Sequence, residues 1–62
     1  MKVEYDSERD MLYIYLSQTS VKAAKIVTIA PGVFADFNKK EKLIGLEILE
    51  AREFIEKKLK AL

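Results

Sequence analysis

The sequence contains neither cysteine nor histidine. Without thiols the chain cannot form a disulfide, and without thiol or imidazole ligands a structural zinc site is strongly disfavoured. The same absence leaves its serines without the histidine partner that activates a nucleophile. Its only glycines, Gly32 and Gly45, are too far apart to form a phosphate-binding loop. These absences do not exclude an enzyme, but they predict a non-enzymatic protein without a metal or other cofactor.

Long hydrophobic runs are absent as well. No uncharged stretch approaches the roughly 20 residues that a helix needs to span a membrane, and residues 26–35 are interrupted by Pro31 and Gly32. The first residues are charged and do not resemble a secretion signal. We therefore expect a cytoplasmic protein that does not enter a membrane. Side-chain amides are limited to Gln18 and Asn38, a scarcity that is typical of thermophilic proteins.

The composition is that of one small folded domain. Half of the 62 residues are hydrophobic, 34% are charged, and the net charge is +1. Disordered chains are less apolar and carry more net charge. Near-neutrality argues against nucleic acid as a partner, because such binding needs a basic surface. A domain of this size without disulfides or metals often completes its core by self-association.

Five segments have the apolar and β-branched composition of strands and are separated by turn-forming residues. We predict these strands at residues 3–5, 11–17, 25–29, 33–37 and 43–49. From Ala51 the apolar residues change to helical spacing, and the predicted apolar stripe comprises Ala51, Phe54, Ile55, Leu59 and Leu62. The sequence thus predicts a single α+β domain over residues 1–62. A small antiparallel sheet built from hairpins precedes one amphipathic C-terminal helix packed on one face.

Both faces of the predicted sheet are apolar, although one helix can cover only one of them. In the second strand Leu12 and Ile14 point to one face, and larger side chains point to the other. An uncovered apolar face of this size is unusual for a monomer. We therefore predict a homo-dimer or a higher oligomer, or a different protein partner, and the predicted interface contains Met11, Tyr13, Tyr15 and Phe34. Stacked tyrosines also bind single-stranded nucleic acid, but no basic groove accompanies them here.

Asp6 and Asp10 bracket the first turn, with Glu8 between them. Such carboxylates are ligands for divalent cations, but the spaced oxygen ligands and the glycine of a calcium loop are missing. An Asx-type turn, in which Asp6 accepts backbone N–H groups and Asp10 closes the turn, is the better interpretation.

Asp36 and Glu47 each interrupt an apolar strand. If they share a face of the sheet, they could bind a small ligand or metal or form an acid–base pair. Pairing Asn38 with Lys42 in the connecting loop would place them on opposite faces, whereas a one-residue change of register would bring them together. The alternatives are an inward carboxylate with a polar partner and a charged sheet edge that blocks aggregation. The sequence leaves this register open.

Four segments together resemble a family of small prokaryotic domains of unknown function, numbered 2283. They are YD at 5–6, DMLYIYL at 10–16, PGVFADF at 31–37 and LIGLEILEA at 43–51. The resemblance covers about residues 3 to 51 and implies a compact domain of sheet and helix with no established activity. Some small families of this kind belong to toxin–antitoxin gene pairs, which suggests an antitoxin-like role as one hypothesis. The chain departs from the pattern at Glu41, where the family often has glycine, and at Glu50, where it favours aspartate.

Overall fold

The computed structural model describes residues 1–18 and 22–60, with helix side chains described as far as Lys57. Five strands form one antiparallel sheet in the order β1-β2-β5-β4-β3, and one helix follows them. The elements are β1 (Lys2–Asp6), β2 (Met11–Tyr15), β3 (Lys25–Ala30), β4 (Val33–Phe37), β5 (Leu43–Leu49) and α1 (Ala51–Lys60). The predicted fold class, an α+β domain with a hairpin-built sheet and one C-terminal helix, is confirmed.

β5 lies at the centre of the sheet, between β2 and β4. The predicted bounds of β4 and β5 agree with the structure, whereas β2 ends at Tyr15, two residues before its predicted end. The backbone N–H groups of Leu16 and Ser17 both donate to the carbonyl oxygen of Ile44, at 2.9 and 3.3 Å. Two consecutive N–H groups cannot both face one neighbour in a regular strand, so the chain leaves the sheet here.

The core lies between α1 and one face of the sheet. Ala51, with no exposed surface, packs against Val33 and Ile48. The half-buried side chains that complete this cluster are Leu12, Ile14 and Phe54. The predicted alternation in β2 is therefore confirmed, because Leu12 and Ile14 face the helix.

The predicted apolar stripe of the helix is only partly confirmed. Ile55 is 44% exposed, because a helix resting on its Ala51–Phe54 edge turns the next position outward. Leu59 and Leu62 lie outside the described side chains. Glu53 and Lys57 form an i,i+4 ion pair at 2.7 Å on the solvent side.

A β-bulge at Ile44 changes the register of the β4–β5 hairpin. Asn38 donates its backbone N–H to the carbonyl of Lys42, and Phe37 pairs with Leu43. On the other side of the bulge Asp36 pairs with Gly45. Leu43 therefore shares the helix-covered face with Phe37, whereas simple alternation along β5 from Ile44 would place it on the opposite face.

Gly45 follows the bulge and lies in close contact with β2. A Cβ atom at this position would lie 3.0 Å from the carbonyl oxygen of Ile14. The departure from the family pattern at Glu41 leaves this turn in the left-handed conformation, because Glu41 has φ 62° where glycine is the preferred residue.

The turn between β1 and β2 matches the Asx-type interpretation in its first half. Asp6 Oδ1 accepts the backbone N–H groups of Glu8 and Arg9, at 3.1 and 3.2 Å. Asp10 does more than close this turn. Its carbonyl oxygen accepts the N–H of Ala51 at 3.0 Å, and its Oδ1 accepts the N–H of Arg52 at 3.2 Å. Asp10 thus satisfies the first two free N–H groups of the helix.

Tyr5 and Arg52 complete this junction. The Tyr5 hydroxyl donates to Asp10 Oδ1 at 2.6 Å, and Arg52 Nε donates to the Tyr5 oxygen at 2.9 Å. The hydrogen bond from Tyr5, supported by the backbone N–H of Arg52, holds the pKa of Asp10 below its ordinary value. Glu50, at the position where the family favours aspartate, has φ 50°, so the N-cap function passes to Asp10 from a different part of the chain.

Replacing Asp10 with alanine should lower the melting temperature by about 5 °C, the usual size for a lost helix cap in a domain of this length. Asp10→Asn should retain most of the stability, since asparagine accepts the same hydrogen bonds and tolerates the positive φ of 53°. Thermal unfolding followed by circular dichroism measures both. Glu8→Ala, in the same turn, is the matched control, and an equal loss in that variant would contradict the capping role.

Candidate functional site

The face of the sheet opposite the helix, called here the helix-free face, carries residues from every strand. β1, β2 and β5 contribute three positions each, and β4 and β3 contribute two each. These positions are Lys2, Glu4 and Asp6; Met11, Tyr13 and Tyr15; Gly45, Glu47 and Leu49; Phe34 and Asp36; Ile26 and Thr28.

The apolar part of this face extends from β2 to β3. All of the residues predicted for the interface, namely Met11, Tyr13, Tyr15 and Phe34, lie on it and are half-buried. The rings of Tyr13 and Tyr15 stack with centroids 6.4 Å apart and an angle of 16° between their planes. Ile26, at the β3 edge of the face, is 59% exposed. The bordering strand β1 is charged, and its Lys2 forms an ion pair with Glu4 at 2.9 Å.

Asp36 and Glu47 lie on this same face, because the bulge at Ile44 shifts the β4–β5 register by one residue. Glu47 on the central strand pairs with Tyr13 on one side and Phe34 on the other. Asp36 lies one row along, paired with Gly45. The two carboxyl groups are therefore diagonal neighbours, which are within reach of each other on one face of an antiparallel pair.

The two carboxyl groups interact directly. The hydrogen bond with Asp36, together with partial burial and the charge of Asp36, raises the pKa of Glu47 to about 7. Asp36 Oδ1 is buried and accepts no hydrogen bond from the residues that the structure describes. A bond between two carboxyl groups requires one of them to be protonated. Glu47 and Asp36, called here the carboxyl pair, can therefore share a proton when Glu47 is protonated, below a pH of about 7.

A small cavity of about 50 Å³ lies beside this pair. Gly45 forms part of its wall, and the β2–β3 connection contributes Gln18 and Ala23. The remaining lining residues are Tyr13, Ile14, Tyr15, Asp36, Ile44, Leu46 and Glu47. A water molecule occupies roughly 10–15 Å³ on this measure, so the cavity has room for a few waters or for the ammonium group of an amine.

A metal centre would need further ligands. Among residues 1–18 and 22–60 no group of three or more acidic or other metal-ligating side chains comes together. Asp36 and Glu47 alone supply oxygen atoms for a hard cation. The carboxylates of the first turn are occupied otherwise, since Asp6 caps its own turn and Asp10 caps the helix.

The sequence interpretation missed Ile26 on this face. Ile26 and Leu49 extend the apolar area to its far edges. Ile26 belongs to a predicted strand, and correct strand pairing would have assigned it. Gly45 is suited to its place in β5, because it follows the bulge and lies close to the backbone of β2. In the described part of the chain, no helix is both long enough and apolar enough to cross a membrane.

Replacing Glu47 with glutamine should change how stability depends on pH. Folding raises the pKa of Glu47 from 4.5 to about 7. Between these two pH values the folded state therefore holds a proton that the unfolded state has released. The wild type should therefore lose stability as the pH rises from 4.5 through 7, by about 1 kcal/mol after allowance for solvent screening. Glu47→Gln should remove this slope, as measured by urea unfolding at pH 5 and pH 8.

Glu8→Gln, which removes an exposed carboxylate outside the helix-free face, is the matched control and should unfold like the wild type at both pH values. Equal slopes in the wild type and Glu47→Gln would contradict the shared proton.

A family model described as "Protein of unknown function (DUF2283)" matches residues 2–52. No curated protein and no solved structure matches the chain significantly. The matched segment contains all five strands, the bulge and the first residues of the helix. It therefore includes the whole helix-free face and the Asp10 junction, and the resemblance noted in the sequence is confirmed. The chain belongs to the DUF2283 family of proteins of unknown function.

Proposed function

We propose that this domain is a non-enzymatic interaction module that assembles through its helix-free face as a homo-dimer. The observation that carries the proposal is the aromatic and aliphatic patch on that face. Tyr13, Tyr15 and Phe34 lie on the side of the sheet that the chain's own helix leaves uncovered. Aromatic residues and methionine are enriched at the centres of protein interfaces, and Met11 is the fourth member of the patch.

The total exposed surface supports an assembly. The folded chain exposes 5031 Å², whereas the scaling law for monomeric proteins gives about 4,100 Å² for this mass. The excess of about 900 Å² is close to the roughly 800 Å² that each partner buries in an interface of standard size. Burial of an interface of standard size would thus bring the chain to the surface area of an ordinary folded protein.

A second copy is the partner that the charges favour. With a net charge of +1, two copies do not repel each other strongly. The border of the patch carries both signs, since Lys2 and Glu4 lie together on β1. A two-fold axis through the patch would bring the aromatic residues of two copies together, with the charged strand β1 at the border, as an isologous interface requires. A different protein on the same face, as an antitoxin-like role would require, is the alternative outcome of the test.

Tyr13→Lys and Tyr15→Lys should each weaken the dimer by about 30-fold or more, as central aromatic positions of interfaces do, without unfolding the monomer. Analytical ultracentrifugation over a concentration series measures the dissociation constant, and circular dichroism checks the fold. Ile55→Lys places the same charge on the exposed side of α1 and should leave the dimer intact. A wild type that stays monomeric throughout would contradict self-association.

Ligand binding by the carboxyl pair is a second candidate function. Its support is the placement of Asp36 and Glu47 on one face, beside a cavity that the sequence did not predict. A hard divalent cation or a small amine would neutralise the pair.

Isothermal titration calorimetry with calcium chloride, and separately with methylammonium chloride, tests this second function. The wild type should bind one of the two saturably, and Asp36→Asn and Glu47→Gln should each reduce the affinity at least tenfold. Glu8→Gln should bind like the wild type. Absence of saturable heat with both salts, or equal binding by Asp36→Asn, would rule out the pair as the ligand site.

A further inference from the structure

The carboxyl pair occupies the middle of the helix-free face. Glu47 lies on the central strand, between Tyr13 and Phe34. Asp36 lies one row along, between Gly45 and Ile26. A partner that covers the aromatic patch must therefore cover both carboxyl groups and remove water from them.

Among the residues that the structure describes, the groups around the pair provide no positive charge to balance it. On the helix-free face β2 contributes the hydroxyls of Tyr13 and Tyr15, and β3 contributes only Ile26 and Thr28. Strand β1, which lies two strands from β5 and three from β4, contributes Lys2, Glu4 and Asp6.

Among the described residues, the lysines nearest to the carboxyl pair are either paired with another group or lie away from the helix-free face. Lys2, the only cation at the register positions of this face, is paired with Glu4 at 2.9 Å. Lys22, on the β2–β3 connection, lies beside Asn38 and Lys40 at the β4–β5 turn. Within the described chain no cation balances the carboxyl pair. The pair can instead be neutralised in part by binding a proton.

We propose that assembly through the helix-free face is linked to protonation, so that the dimer forms with one proton on each Asp36–Glu47 pair and dissociates when that proton is lost. The inference rests on the proposed function, because it requires the helix-free face to be the dimer interface. With the proton present, one carboxyl donates to the other and each chain buries a single negative charge. Without it, the two-fold interface would contain four carboxylates with no counter-charge, an arrangement that buried charges do not tolerate.

The direction of the pH dependence follows from the environment of the Glu47 carboxyl group in the single chain and in the dimer. In the single chain the hydrogen bond with Asp36 and partial burial already raise the pKa of Glu47 to about 7. Covering the face removes more water, which disfavours the charged form and raises the pKa of Glu47 further. The dimer thus binds the proton more tightly than the monomer does. Its affinity is greatest below the monomer pKa and falls as the pH rises above about 7.

The size of the effect is set by the number of protons. Each proton released on dissociation changes the dissociation constant by up to tenfold per pH unit, and a dimer with two pairs by up to about 100-fold. The steep range begins near pH 7 and continues to the pKa of the pair in the dimer. Below about pH 6 both states hold the proton, and the affinity should become constant.

Sedimentation velocity at pH 5.5, 7.0 and 8.5, at constant ionic strength, tests the proposal. The wild-type dissociation constant should rise at least 30-fold between pH 5.5 and pH 8.5. Glu47→Gln keeps a neutral donor toward Asp36 and should form a dimer whose affinity varies less than threefold over this range. The control Glu8→Gln should follow the wild type.

The outcomes separate this proposal from the function on which it rests. A wild-type dimer whose affinity is unchanged between pH 5.5 and pH 8.5 would overturn proton linkage and leave the homo-dimer standing. A wild type that is monomeric at every pH would overturn both. If Glu47→Gln does not fold, Asp36→Asn takes its place, and carboxyl carbon-13 NMR of the wild type must show Glu47 titrating at higher pH as the protein concentration rises. A titration independent of concentration would overturn the linkage.

Discussion

The helix is attached to the sheet by the hydrogen bonds that Ala51 and Arg52 donate to Asp10. These bonds fix where the helix begins, directly above the turn between β1 and β2. From that start Ala51 and Phe54 reach the side of the sheet that carries Val33 and Ile48. Because one helix covers one side, the same junction also determines that the opposite side is left open. The core and the candidate interface are thus two consequences of one contact.

The bulge at Ile44 determines on which face of the sheet the two carboxyl groups lie. Regular pairing from the Asn38–Lys42 turn would place Asp36 and Glu47 on opposite faces of the sheet. One extra residue in β5 brings them to the same face, as diagonal neighbours that interact directly. Bulges frequently redirect side chains next to functional sites. Here the result is a pair of carboxyl groups beside the aromatic patch, in the middle of the helix-free face.

An apolar face that contains a carboxyl pair is suited to a conditional interaction. The aromatic rings provide contact area, and the pair adds an electrostatic cost that depends on its state of protonation. Neutralisation by a proton, a cation or an amine would reduce the same cost. The interaction module and the ligand site are therefore two possible uses of one arrangement, distinguished by what supplies the positive charge.

The sequence by itself determined the features that depend on neighbouring residues. The alternation of Leu12 and Tyr13, the bounds of β4 and β5, and the Asx turn at Asp6 were all predictable, because strand pattern and turn chemistry are local. Tertiary structure alone decided the role of Asp10, whose partner Arg52 is 42 positions away in the chain. It also decided that Asp36 and Glu47 meet, since a bulge is set by the fit of three strands around Gly45 rather than by the pattern of any one of them.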